Sequence, residues 1–302
     1  MVLEKGNLFS PVEVNDLINR VSGKSSLIRL SSQVAIPFNG QKEFVFTMDS
    51  EVDVVAESGK KTHGGVTIEP VVMTPIKIEY GARVSDEFMI ADEETRLGLL
   101  ASFNEGFAKK VARGLDLMAF HGVNPRSGTA SAVIGTNHFD ALVTQTVSGA
   151  LGLATPNEYV ETAVGLIEGS EFGQVTGMAI APSFRSALSK QKVGTGENTR
   201  PMFPELAWGN APQTINGLAV DVNKTVSDMS TPRDRAIIGD FAEAFKWGFA
   251  KEIPLEVIKY GDPDNSGLDL KGYNQVYLRS EMFLGWGIML PNSFARITEA
   301  EA

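Results

Sequence analysis

Few residues in this chain have the type and spacing that chemistry needs, and each set fails on inspection. Gly23-Lys24-Ser25 ends like a phosphate-binding loop, whose backbone N–H groups cradle phosphates while the lysine reaches the outer ones. That motif needs its first glycine at position 18, which is Ile18, and a buried strand ahead of it. Gly194-Thr195-Gly196 lacks a third glycine at nucleotide-loop spacing. Asp262-Pro263-Asp264-Asn265-Ser266-Gly267 imitates the opening of a calcium loop, but the closing bidentate glutamate should stand where Tyr273 does, so a plain turn is expected. His63, His121 and His138 are far apart and form no H-x-x-x-H pair, which gives no reason to expect zinc. The absence of cysteine excludes disulfides, thiolate metal sites and cysteine nucleophiles. No G-x-S-x-G occurs, and the acidic pair Glu93-Glu94 suits a helix start, where the dipole favours negative charge. The expectation is a protein that is not an enzyme and has no cofactor and no metal.

The elements explain more than the side chains do. With 302 residues, 43% of them hydrophobic, the chain can bury a sizeable core. A formal net charge of -10 disfavours wrapping nucleic acid, since that affinity comes mainly from Lys and Arg on phosphates. Such a charge suits a wall that must not adhere to DNA, and ordinary solubility accounts for it equally well. No stretch has the roughly 20 apolar residues of a membrane helix, so no membrane partner is expected.

Ser10-Pro11-Val12-Glu13 reads as a capping box, and Val14, Leu17, Ile18 and Val21 follow at helical spacing until Gly23. So short a helix must dock, either on its own domain or on a neighbour. Residues 43–56 and 66–80 read as two strands around the polar tip Glu57-Ser58-Gly59-Lys60-Lys61-Thr62-His63-Gly64-Gly65. Pro70 and Pro75 require the second strand to be an edge or to be interrupted. An isolated two-stranded hairpin is marginal in water. The helix that follows, about 85–121, cannot cover both arms, so the simplest surface for the hairpin is a second copy of the chain. That helix carries Leu100, Phe103, Phe107, Val111, Leu115 and Met118 in one stripe, with Gly98, Gly106 and Gly114 suited to a close backbone neighbour. A mixed α/β segment spans 124–260, with a capping box at Thr155-Pro156-Asn157-Glu158, a buried strand at 177–181, a helix at 183–191, a loop at 192–213, and strands at 217–222 and 236–241. A long strand over 276–290 and a short closing strand through Ile297 end the chain.

This order of parts resembles the major capsid proteins of tailed bacteriophages, the Hong Kong 97-type fold, over essentially the whole chain. The residues that carry the resemblance are Tyr80-Gly81-Ala82-Arg83-Val84-Ser85-Asp86-Glu87, Ile238-Gly239-Asp240-Phe241, Arg279-Ser280-Glu281 and Pro291-Asn292-Ser293-Phe294. The resemblance implies an α+β fold with an N-terminal arm (1–33), an extended hairpin loop (34–82), a peripheral domain with a spine helix (83–123 and 261–302) and an axial domain (124–260). It also implies a homo-oligomer of pentamers and hexamers closing into an icosahedral shell in the virion, with a portal protein, around double-stranded DNA bound without sequence specificity. The chain begins at Met1 with the arm itself, so either a separate scaffolding protein takes the place of a removable leader or the sequence is that of a mature form, and the initiating methionine favours the first. A nanocompartment shell around an enzyme cargo and an ordinary α/β enzyme are the alternative readings.

The expected contacts between subunits use Val14, Leu17 and Ile18 of the arm and Gly59, Lys60, Lys61, Gly64 and Gly65 of the tip. Some relatives weld their shells through an isopeptide bond between a hairpin lysine and a neighbour's asparagine, with a glutamate as base. By resemblance the parts here are Lys60 or Lys61, Asn274 and Glu281. The expectation is nonetheless an uncrosslinked shell, with the lysines in a solvated tip and Glu281 paired to Arg279 or another basic side chain.

Overall fold

The structure, a computed structural model, describes residues 25–89, 93–149, 155–170, 173–194, 198–228 and 232–299. Val14, Leu17 and Ile18 lie outside the described residues. The first described element is a short helix, α1 (Ser26–Leu30), started by the N-cap Ser25, whose hydroxyl accepts the Ile28 N–H.

Strands β1 (Gln41–Met48) and β2 (Val66–Met73) form the hairpin, an antiparallel ladder with Met48 opposite Val66 and Gln41 opposite Met73. The ladder is shorter than the sequence pattern predicts. Val52 and Val54 continue an apolar alternation but find no partner strand among the described residues, so residues 49–65 form a tip without strand pairing. Pro70 stays inside β2 because a two-stranded sheet leaves each strand a free edge, and Pro75 falls at the break before β3 (Ile76–Ser85). Residues 76–80, expected in the hairpin arm, therefore belong to a different sheet.

After a 3-10 turn at Asp86–Met89 comes the spine helix α2 (Glu93–His121), about 43 Å long at 1.5 Å per residue. Its apolar stripe does the predicted work: Phe107, Ala108 and Val111 pack on Met282, and Leu115, Met118 and Phe120 enter the main core. Among the described residues no second backbone approaches the glycines of the helix. A Cβ on Gly98 or Gly106 would meet nothing within 4 Å, and Gly114 faces only the Pro125 side chain.

Beyond α3 (Phe139–Leu142) and β4 (Thr146–Gly149), α4 (Pro156–Glu168) begins without the expected side-chain cap, since Thr155 contributes only its carbonyl, to the Glu158 N–H. Next come β5 (Gly177–Ile180), α5 (Pro182–Ser189), the paired dipeptides β6 (Lys192–Val193) and β7 (Arg200–Pro201), a 3-10 turn at Pro204–Gly209, β8 (Thr214–Ile215), β9 (Leu218–Val222) and β10 (Asp234–Gly239). The chain closes with β11 (Phe245–Ile258), β12 (Gln275–Ile288) and β13 (Phe294–Glu299). Strand β11 is the element that the sequence pattern does not announce.

Two sheets organise the subunit. A mixed six-stranded sheet has the order β4-β13-β10-β5-β9-β8, and a three-stranded antiparallel sheet has the order β11-β12-β3. The first is buried on both faces, which is why β5 reads as a continuous apolar run. Met178, Ile180, Ala236 and Ile238 point to α4 and α5, while Ala179 and Ile237 point to α1 and the end of the spine helix. The second sheet lies under α2. Where the sheets meet, Phe139 packs against Phe120, Phe241, Phe245 and Phe294 at ring distances of 4.9 to 6.3 Å, beside the buried pair Trp247 and Trp286.

Candidate functional site

The surface left without a partner is the hairpin. Register sets Phe44 opposite Pro70, Phe46 opposite Ile68 and Met48 opposite Val66, so these apolar residues share one face. That face is wet: Phe44 and Phe46 are 58% and 63% exposed, and Met48, Val66, Ile68 and Val72 are exposed with them. The other face turns toward the body, where Lys246 pairs with Glu43 at 2.6 Å and Met73 is buried with Ile36 and Met289. Covering an exposed Phe, Met or Ile is worth on the order of 1 kcal/mol or more each, so the face has a strong tendency to dock.

The tip holds itself together. Asp49 accepts the Gly65 N–H at 2.7 Å, Asp53 accepts the Thr62 hydroxyl at 2.8 Å, and the Gly59 N–H bonds the Ala56 carbonyl at 2.8 Å. Gly59, Lys60, Lys61, Gly64 and Gly65 are all exposed, and neither lysine makes an ion pair among the described residues. Glu281 stands nearly buried in β12, 2.9 Å from Lys77 Nζ and 3.5 Å from Arg279 Nε. Asn274 caps the turn before β12 in a left-handed conformation, and its carbonyl accepts the Asp86 N–H at 2.9 Å. Glu281 lies seven residue steps along the strand from Asn274, roughly 23 Å, so both could serve one lysine only if they came from different copies.

Two buried polar centres fix the elements behind this surface. Asp116 of α2 accepts four hydrogen bonds, from the Ser25 hydroxyl (2.5 Å), the Ser26 and Leu27 N–H groups (2.8 and 3.2 Å) and the Thr225 hydroxyl (2.6 Å). Its carboxylate thus satisfies the N-terminus of α1 from the spine helix. Burial pushes it up to about 6 against the pull of those donors. Asp221 of β9 holds the same helix through Ser26 Oγ and Arg29 Nη1, both at 2.7 Å. The end of the arm segment is therefore docked on its own chain.

The second centre joins His121, Asp140, Asp234 and Arg296. The first three have the composition of a metal site. The Arg296 guanidinium stands where a cation would, 2.9 Å from an oxygen of each carboxylate. Both ring nitrogens of His121 are also engaged, Nδ1 with Asp140 at 3.0 Å and Nε2 with the Thr225 carbonyl at 2.9 Å. A carbonyl only accepts, so Nε2 carries a proton, and a proton on Nδ1 as well makes the ring an imidazolium facing a carboxylate. Burial lowers the histidine's pKa, but the Asp140 hydrogen bond and charge outweigh it and the net direction is up. The network ties the end of the spine helix to β10 and β13.

The calcium-like turn is plain, as its sequence predicts, and it too is filled by an arginine. Asp262 accepts the Ser266 and Gly267 N–H groups, and Arg83 bonds Asp262, Asp264, Gln275 and the Leu268 carbonyl. Composition could not locate these arginines; only the tertiary pairing of distant strands does.

The four sequence markers meet in pairs. Gly81 lies opposite Arg279 and Tyr80 opposite Ser280 in the β3–β12 ladder. Gly239 lies opposite Phe294, and the Asp240 N–H bonds the Ser293 carbonyl at 3.1 Å. A Cβ on Gly239 would collide with that same carbonyl, so the close approach demands glycine there.

A subunit with a rigid double-sheet body, a long spine helix and an apolar hairpin thrust into solvent is the form of a shell protein completed by its neighbours. The sequence matches the Phage capsid family over residues 6–298, and the chain belongs to that family. Among solved structures, a chain of Mycobacterium phage Ogopogo is 32% identical with a TM-score of 0.76, 92% of each chain being covered. One of Gordonia phage Cozz is 24% identical with a TM-score of 0.73, covering 95% of this chain and 87% of that one. A chain from the capsid of an empty GTA particle, computed with C5 symmetry, shares the fold at 14% identity and a TM-score of 0.63, covering 92% of this chain and 90% of its own. No curated protein matches the sequence. The chain is a capsid protein with the Hong Kong 97-type fold, and the family match does not favour a nanocompartment shell or a soluble enzyme. No described helix is long and apolar enough to cross a membrane.

Proposed function

We propose that this protein is the major capsid protein of a tailed phage, assembling as pentamers and hexamers into an icosahedral shell around double-stranded DNA. The observation that carries this is the exposed apolar face of β1 and β2, which the other described residues leave uncovered. Its occupant is a second copy, as in the shells of the family. A separate scaffolding protein guides assembly, a portal protein joins the shell, and DNA is held by enclosure and not by adhesion. Catalysis has no part in it.

The sheets support a division of the subunit. The six-stranded sheet with α4 and α5 forms an axial domain, and α2 with the three-stranded sheet forms a peripheral one. On this division residues 245–258 join the peripheral domain and 294–299 the axial domain, crossing the segment boundaries 124–260 and 261–302. The tip residues Gly59, Lys60, Lys61, Gly64 and Gly65 touch the next copy without covalent welding. Negative-stain microscopy and sedimentation of the full chain, alone and with a candidate scaffold, test the reading. Closed shells are expected, and a protein that stays monomeric in every combination would refute it.

A further inference from the structure

Trp208 is 104% exposed and has a φ of 56°, while Trp247 and Trp286 are each 1% exposed. A bulky residue held left-handed is strained, and a fully wet indole is apolar surface with no cover. The ring is not on a loose loop. Phe203 and Leu206 of the same turn are buried in the core under α4 and α5, Asn210 Nδ2 donates to the Glu205 carbonyl at 2.9 Å, and Arg185 Nη1 donates to the Asn210 carbonyl at 3.3 Å. A rigidly mounted exposed tryptophan has the character of an interface anchor.

The layer to which it belongs shows what covers it. Helices α4 and α5 and the 204–209 turn run across one face of the six-stranded sheet. Helix α4 lies over β4 and β13 at one edge, and the turn shares its core with Ile215 of β8, the strand at the opposite edge. Exposed charges on the end of α5, which packs on this turn, and on β6 and β7 include Lys190, Lys192 and Arg200, and the turn itself carries one half-buried acid, Glu205. On α4 the outward stripe carries Glu158, Glu161 and Glu168 and no basic residue. Within that stripe a Cβ on Gly165 would meet nothing within 4 Å, and Leu166 is 42% exposed beside it.

We propose that Trp208 anchors a head-to-tail contact between copies of this chain, its indole seated on the open surface at Gly165 and Leu166 of the next copy's α4, with Lys192 and Arg200 facing Glu161 and Glu168. Both halves of the contact are on one chain, at opposite edges of one sheet and with opposite charge, so the occupant is a second copy. The contact is heterologous, and repetition around an axis closes a ring. A two-fold pair would use both patches of both copies at once and stop at a dimer, which shells of pentamers and hexamers do not use. This inference rests on the shell-forming function and assigns the surface that closes its rings.

The tryptophans supply the test. The double variant Lys192→Glu/Arg200→Glu is expected to remain folded by circular dichroism, to lose shell yield at least tenfold, and to leave Trp208 open to acrylamide. In wild-type shells the Trp208 emission is expected to shift to the blue and to be quenched several-fold less than in that variant, and shells of Trp208→Phe should lack this component. Adding Glu161→Lys/Glu168→Lys to the double variant should restore shells. Wild-type shells whose Trp208 stays as quenchable as in the unassembled variant would overturn the contact while leaving the shell function standing. So would normal assembly of the double variant, failure of the fourfold reversal to restore it, or protection of Trp208 only when a different protein is added. Wild-type chain that forms no shells under any condition would remove the function and the contact together.

Discussion

Asp116 shows how one side chain can join parts distant in sequence. It lies in α2 yet satisfies the first N–H groups of α1, about ninety residues earlier, and the Thr225 hydroxyl about as far ahead. Asp116→Ala would strand those buried donors, and a loss of about 3 kcal/mol or more in urea unfolding is expected. His121 gives the subunit a pH dependence through Asp140, Asp234, Arg296 and the Thr225 carbonyl, the groups around its ring. Its folded-state pKa is raised, so its contribution to stability is complete below the unfolded value of about 6.5 and is lost as pH rises through the folded value. The thermal midpoint of the subunit should therefore fall between pH 6 and pH 8, and His121→Asn should flatten that limb. A midpoint that falls equally in the variant would assign the effect to another group.

At the level of elements, the hairpin was legible because β1 and β2 alternate and a glycine-rich tip separates them. Its length was not, because Val52 and Val54 look like strand but only a partner makes a strand, and none faces them. Strand β11 escaped for the opposite reason. Its pairing with β12 is irregular between Phe249 and Lys251 and again between Ile253 and Glu256, which breaks the period-two pattern that reveals strands. The chemistry at Asp262 was rightly read as a turn, but the arginine that fills it could not be seen without the β3–β12 register. The apolar hairpin face carries a direct expectation. Phe44→Ser/Phe46→Ser/Ile68→Thr should leave a folded subunit, since exposed positions change stability by about 0.5 kcal/mol or less each, yet abolish shells. Melting followed by circular dichroism and negative-stain microscopy check the two halves of that statement, and a variant that unfolds would mean the face already supports the monomer.

For the whole molecule, the order of arm, hairpin, spine and sheets was readable from the chain because Pro37 and Gly40 mark the entry to the hairpin, Ser85-Asp86-Glu87 the approach to the spine and Gly122 and Pro125 its end, and the period of the apolar pattern changes there. Two whole-particle outcomes follow. Mature particles boiled in detergent should run as single chains, since Glu281 is already held by Lys77 and the two tip lysines are solvated; a ladder of covalent oligomers abolished by Glu281→Ala would show the opposite. Isolated capsomers, carrying a formal charge of -10 per chain, should bind duplex DNA no more than weakly even at low salt in a gel-shift assay.

The three-stranded sheet also has a mechanical meaning. Strand β12 is central and antiparallel to both β3 and β11, so its ladder bonds stand across its length. Wherever the tension of a filled shell runs along β12, those bonds are loaded side by side in shear, and they share the force instead of opening one after another. A subunit built this way is stiff along that axis and yields at its edges first, so a capsid of such subunits should rupture between copies before any copy unravels.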